Sequence, residues 1–98
     1  MNKSKVVKMM KRFHIFISGR VQGVCYREFA RKCAMLLDIK GFSRNLPDGR
    51  VELVVEGQEH DLKEFLAKLH VGPDASSVEA LTKEDEEFKN EFQSFEIL

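Results

Sequence analysis

The chain of 98 residues has no apolar run long enough to cross a membrane, since a spanning helix needs about 20 consecutive apolar residues. Its first eleven residues are broken by four lysines and hold no apolar stretch of the kind a secretory leader carries. Residues 1–11 are expected to form a basic flexible tail, and the chain to be cytoplasmic, without membrane contact. Cysteine is scarce. Cys25 and Cys33 lie eight residues apart on one predicted helix, which puts them about 12 Å apart along its axis. A disulfide needs Cα atoms within about 7 Å, so an intrachain bridge is excluded and a reducing compartment fits. His14, His60 and His70 stand in no spacing that holds a metal. The acidic run Glu84-Asp85-Glu86-Glu87 lacks a calcium-loop pattern and is expected to be a solvated loop. No metal and no cofactor are therefore expected. Internal repeats and low-complexity runs are also missing, which leaves one domain, residues 12–98.

Hydrophobic residues make up 43% of the chain and eight are Phe, enough for a folded globule. The formal net charge of zero hides an uneven spread. Residues 1–12 balance at +5, residues 20–50 at +4 and residues 51–98 at −9. A small anion gains from the positive segment, whereas a long polyanion also meets the acidic half, so no nucleic-acid partner is expected.

Phe13, Ile15 and Ile17 alternate with His14, Phe16 and Ser18, which predicts a strand over about 12–18. Tyr26, Phe29, Ala30, Cys33, Leu36 and Leu37 recur at helical spacing and predict a helix over about 25–38, broken by Gly41. An extended segment Lys40–Arg44 leads to Pro47-Asp48-Gly49, a hairpin turn. Arg50–Glu56 alternates again, with Gly57 as its stop. Leu62, Phe65, Leu66 and Leu69 form the stripe of a second helix over about 58–70, with Glu64 and Lys68 placed to pair and Gly72-Pro73 beyond it. Val78–Lys83 reads as a weaker, edge strand and Ser94–Leu98 as a short final one. The order β-α-β-β-α-β, with one-sided helices and a one-sided antiparallel sheet, predicts an α+β split βαβ sandwich in two layers with a short extra C-terminal strand.

The stretch between the first strand and first helix concentrates three oddities. Gly19 and Gly23 loosen the loop, no Ser, Thr, Asp or Asn caps the helix, and Arg27 sits in the first turn. A cation there opposes the helix dipole by about 0.3–1 kcal/mol. A bound anion accounts for all three, because loop N–H groups donate to it and Arg27 neutralises it. Asn45, just before the hairpin turn, reads on residue type alone as a turn-former; the split βαβ order brings it beside this loop.

Ile17-Ser18-Gly19-Arg20-Val21-Gln22-Gly23-Val24-Cys25-Tyr26-Arg27 resembles the first signature of the acylphosphatase family. Gly41, Phe42, Asn45, Gly49, Val51 and Gly57 resemble its second, both without a gap. The resemblance covers about residues 12–98. Tyr26 replaces the usual phenylalanine and Ser43 a small apolar residue. It implies a ferredoxin-like fold and metal-independent hydrolysis of acyl phosphates by a monomer. It also implies that Arg27 binds the phosphoryl group and Asn45 holds the attacking water. With the residue reading it makes Gly19, Arg20, Val21, Gln22, Gly23, Val24 and Cys25 the phosphate-binding loop, the N–H groups of Val21 to Cys25 being the donors. Three rivals are weaker. Cys25 and Arg31 have the C-x5-R spacing of cysteine phosphatases, but the residues between them are helical. An RNA-binding sheet would offer Phe16 and Phe42 without the usual signature. A degenerate domain that binds phosphate without turnover is argued against by retention of Arg27 and Asn45.

Overall fold

The computed structural model describes residues 9–98. Five strands and two helices follow in the order β1 (Met10–Arg20), α1 (Tyr26–Leu36), β2 (Lys40–Asn45), β3 (Val51–Gln58), α2 (Glu59–Val71), β4 (Ser77–Glu86) and β5 (Phe95–Ile97). The sheet order is β4-β1-β3-β2-β5. β1 lies antiparallel to β3 and β4, and β2 antiparallel to β3. Each helix thus joins parallel strands with one strand inserted between them, the split βαβ arrangement. β5 pairs parallel to β2, so the sheet is mixed where a fully antiparallel one is predicted.

The period-2 pattern decides which face is dry. Phe13, Ile15 and Ile17 sit opposite Val55, Leu53 and Val51 and are buried with Tyr26, Ala30 and Ala34 of α1 and Leu62, Phe65 and Leu69 of α2. Asn45 pairs with Val51, which places it on this helix-bearing face at the end where α1 begins.

The opposite face departs from the two-layer expectation. β3 is buried throughout Val51–Gly57, including Glu52 and Glu56. The chain must pass from β4 at one edge to β5 at the other, and residues 87–94 cross this face on the way. Glu56 accepts from the N–H groups of Lys89, Asn90 and Glu91 at 2.8, 3.2 and 3.1 Å and from Arg12 at 3.1 Å. Phe92 packs edge-on against Phe42, with the Arg12 guanidinium 5.2 Å from its ring centre. The acidic run is exposed to solvent as expected, but most of it is strand and not loop. Glu84, Asp85 and Glu86 belong to β4, and Glu86 accepts from Arg12. β4 does lie at an edge, as its weak pattern predicts.

Boundaries shift for local reasons. Met10 and Lys11 pair with Gln58 and Gly57, so β1 takes two residues from the predicted tail; residues 1–8 lie outside the described ones. Gly57 continues β3 rather than ending it. α1 stops before Gly41: Asp38 adopts φ 56° and Ile39 N–H donates to Ala34 O at 2.8 Å, a left-handed C-terminal cap made with Asp in place of Gly. On α2, Lys63 pairs with Glu59 at 3.7 Å, one turn earlier than the Glu64–Lys68 pair predicted. Both cysteines are free. No described helix is long and apolar enough to cross a membrane.

Candidate active site

β1 carries a bulge at Ser18/Gly19. A Cβ on Gly19 would stand 2.2 Å from Ser77 O, so the close approach of β4 by itself requires this glycine. Gly19 and Arg20 both lie in β1, and the loop proper is shorter than predicted, Val21 to Cys25. Val21 is buried and pins its start. Gly23 takes φ 74°, and a Cβ there would meet nothing within 4 Å; its exposed side is open for an incoming group. Cys25 is left-handed at φ 62°, ψ 26° and makes no side-chain cap. A left-handed non-Gly residue costs roughly 1–2 kcal/mol, strain held at the mouth of α1. Among the described residues no acceptor takes the N–H groups of Gln22, Gly23, Val24 or Cys25, and the first helical amides are orphaned by geometry.

Val21, Gly23, Cys25, Tyr26 and Arg27 line a cavity of about 180 Å³ with Glu28, Asn45 and Ile97. Loop, helix start, end of β2 and β5 thus meet at one place. Gln22 and Val24, with Gly19 and Arg20, do not line it. Tyr26 is buried, and its hydroxyl donates to Leu69 O near the end of α2. The replacement of phenylalanine by Tyr26 therefore serves packing, and burial pushes its phenol well above the ordinary value.

Arg27 is half-buried, and its Nη1 donates to the main-chain oxygen of Leu98 at 2.9 Å. Among the described residues no Asp or Glu side chain pairs with it. The other arginines nearby are committed: Arg31 to Glu28, Arg44 to Glu52 and Arg50 to Asp48. The hydrogen bond from Arg31 holds the Glu28 carboxyl below its usual range, so the one acid on the cavity wall is ionised but already partnered. Three of the seven basic residues within 20–50 are thus paired with carboxylates, and the cation that lines the cavity is Arg27. Asn45 is exposed, and its carboxamide makes no hydrogen bond within the described residues. Ile97 and the main-chain oxygen of Leu98 were not legible as site features, because each arrives through tertiary placement rather than residue type.

Fold and cavity together place the chain among ferredoxin-like α+β domains whose first βα loop, helix start and second strand converge on one small cavity. A sequence profile described as Acylphosphatase matches residues 13–97. An acylphosphatase of Syntrophus aciditrophicus is 41% identical over 92% of this chain and 94% of its own. The crystal structure of acylphosphatase from Bacillus subtilis superposes with a TM-score of 0.87 at 31% identity, covering 92% of this chain and 99% of that one. An acylphosphatase from Coxiella burnetii superposes at 0.90 with 30% identity, covering 97% and 99%. The chain belongs to the acylphosphatase family and is a hydrolase of that kind.

Proposed function

We propose that the cavity hydrolyses the carboxyl–phosphate bond of small acyl phosphates without a metal ion. Arg27 and the N–H groups of Gln22 to Cys25 bind the phosphoryl group, and Asn45 holds the attacking water; the Val21 N–H, expected among the donors, is taken by Gly19 O at 3.1 Å. The observation that carries this reading is the meeting of Arg27, Gly23, Cys25 and Asn45 from three elements on one cavity. Phosphoryl transfer asks for positioning and charge stabilisation rather than covalent help. Arg27 supplies charge with a planar fork of donors suited to two phosphoryl oxygens. Gly23 lets the oxygens approach the main chain. Asn45 stands on the helix-bearing face at the end of β2, across the same cavity, where its carboxamide is free to orient a water for in-line attack.

As the water oxygen bonds to phosphorus, the bridging P–O bond breaks and its electron pair leaves on the carboxylate. The conjugate acid of that leaving group has a pKa of about 4, so no general acid is needed. The water's proton passes to a phosphoryl oxygen of the substrate. The RNA-binding alternative loses its platform. Phe16 lies under the Arg50 guanidinium, Phe42 packs on Phe92, and the same face carries Glu52 and Glu56.

The test is turnover of benzoyl phosphate and acetyl phosphate beside p-nitrophenyl phosphate, all with a chelator present. Both anhydrides should be hydrolysed and the ester left nearly intact. Hydrolysis of the ester alone, or loss of anhydride turnover on chelation, overturns the reading.

A further inference from the structure

The Gln22 side chain is half-buried and points away from the cavity toward the β2–β3 turn. Its Nε2 donates to Leu46 O at 2.9 Å and to Arg50 O at 3.0 Å. Both partners are carbonyl oxygens, which only accept, so the atom facing them is the nitrogen and both its hydrogens are used. The same two carbonyls close the turn: Leu46 N–H donates to Arg50 O at 2.8 Å and Gly49 N–H to Leu46 O at 3.1 Å. One carboxamide thus joins the anion loop to the base of the hairpin, and Asn45 immediately precedes Leu46.

We infer that Gln22 is a positioning residue that fixes Asn45 relative to the phosphoryl group. The inference rests on the role proposed above for Asn45. Which side moves when the clamp is cut follows from burial. The loop is anchored by Val21 and Tyr26, each only 1% exposed. The hairpin residues Asn45, Pro47, Asp48 and Gly49 are exposed. Loss of the clamp therefore frees the hairpin and leaves the cradle and Arg27 in place. The water slips out of line while the phosphate still binds, and a misplacement of about 1 Å costs on the order of 10²-fold in rate.

The test compares Gln22→Met and Gln22→Glu, checked for native circular dichroism, in the parent and in an Asn45→Ala background. kcat and KM for benzoyl phosphate and inhibition by inorganic phosphate are measured. Gln22→Met should lower kcat by about 10- to 100-fold with KM and phosphate inhibition nearly unchanged, and should cost nothing further once Asn45 is removed. Gln22→Glu keeps the size and polarity should Met disturb the fold. Its carboxylate turns oxygens toward two carbonyls, so its rate relative to the parent should be low at pH 7 and rise toward pH 5 as the acid regains a donor. An unchanged kcat, an equal loss in both backgrounds, or a raised KM alone overturns the clamp. Undiminished turnover in Asn45→Ala overturns the proposed role of Asn45 and the clamp with it. A crippled Asn45→Ala beside a fully active Gln22→Met overturns the clamp only.

Discussion

Arg27 and Ser43 mark two opposite uses of a polar side chain in this protein. Arg27 is held at the cavity by Leu98 O, and among the described residues no Asp or Glu side chain pairs with it. One donor aimed at a transition-state oxyanion is worth about 10²–10³ in kcat. Arg27→Ala also removes a full charge, so at least about 10³-fold of benzoyl phosphate turnover should vanish. Asn45→Ala should lose about 10² with KM nearly kept, since water placement belongs to the transition state. Normal turnover by either variant would sink its role. Ser43 does no such work. It is fully buried in β2, and its hydroxyl has no hydrogen-bond partner among the described residues. Burying an unpaired hydroxyl costs about 1–3 kcal/mol. Ser43→Ala should therefore raise stability by about 1 kcal/mol, seen as a midpoint increase of about 4–8 °C; a lower midpoint would show that the hydroxyl is satisfied.

Among the elements, the segment between β4 and β5 carries most of the surprise. It is held to the sheet by the buried Glu56 carboxylate, which gathers three main-chain N–H groups and Arg12. Removing one member of a buried ion pair costs about 3–5 kcal/mol. Glu56→Ala should destabilise by about 3 kcal/mol in denaturant unfolding; a change below 1 kcal/mol would mean the crossing does not depend on it. The sequence carried little trace of this. Glu84–Glu91 reads as hydrophilic, and a carboxylate that caps a distant segment looks like any exposed Glu on an alternating strand. The elements with strong periodicity were readable, namely β1, α1, β3 and α2, because alternation and helical stripes record burial directly. Their ends were less so: Asp38 does a glycine's task after α1, and Gly57 stays within β3. At the site, the two signature stretches could be read whole, with Arg27 and Asn45 in them. The bulge that claims Gly19 for β4, and the wall supplied by Ile97, depend on strand order that no local pattern encodes.

Taken as a whole molecule, the polar sheet face works as an acid-sensitive layer. Burial raises the Glu52 carboxyl pKa, but hydrogen bonds from His14 and Arg44 outweigh it and bring the pKa below its ordinary 4.5. The bond from Arg12 is the main cause that lowers Glu86 from the same value. A carboxyl pKa lower in the folded state than in the unfolded one means the unfolded chain binds more protons as pH falls. The stabilisation is therefore complete above pH of about 5 and drains away below about 4.5. Denaturant midpoints measured from pH 7 to pH 3 should fall steeply in the parent and less steeply in Glu52→Gln; parallel slopes would refute the linkage.

The pairing of β1 with β4 bears on the pace of folding. Arg12 and Glu86, side by side in the sheet, are 74 residues apart in a chain of 98. Arg27 and Leu98, which meet at the cavity, are 71 apart. Loops of that length close before their contacts repay the entropy, which slows folding relative to a domain built from local contacts. A chain that has formed its local hairpin and helices but not yet brought its late residues across the sheet has the signature loop without Ile97 and Leu98 beside it, and the cavity is completed only by the longest closures.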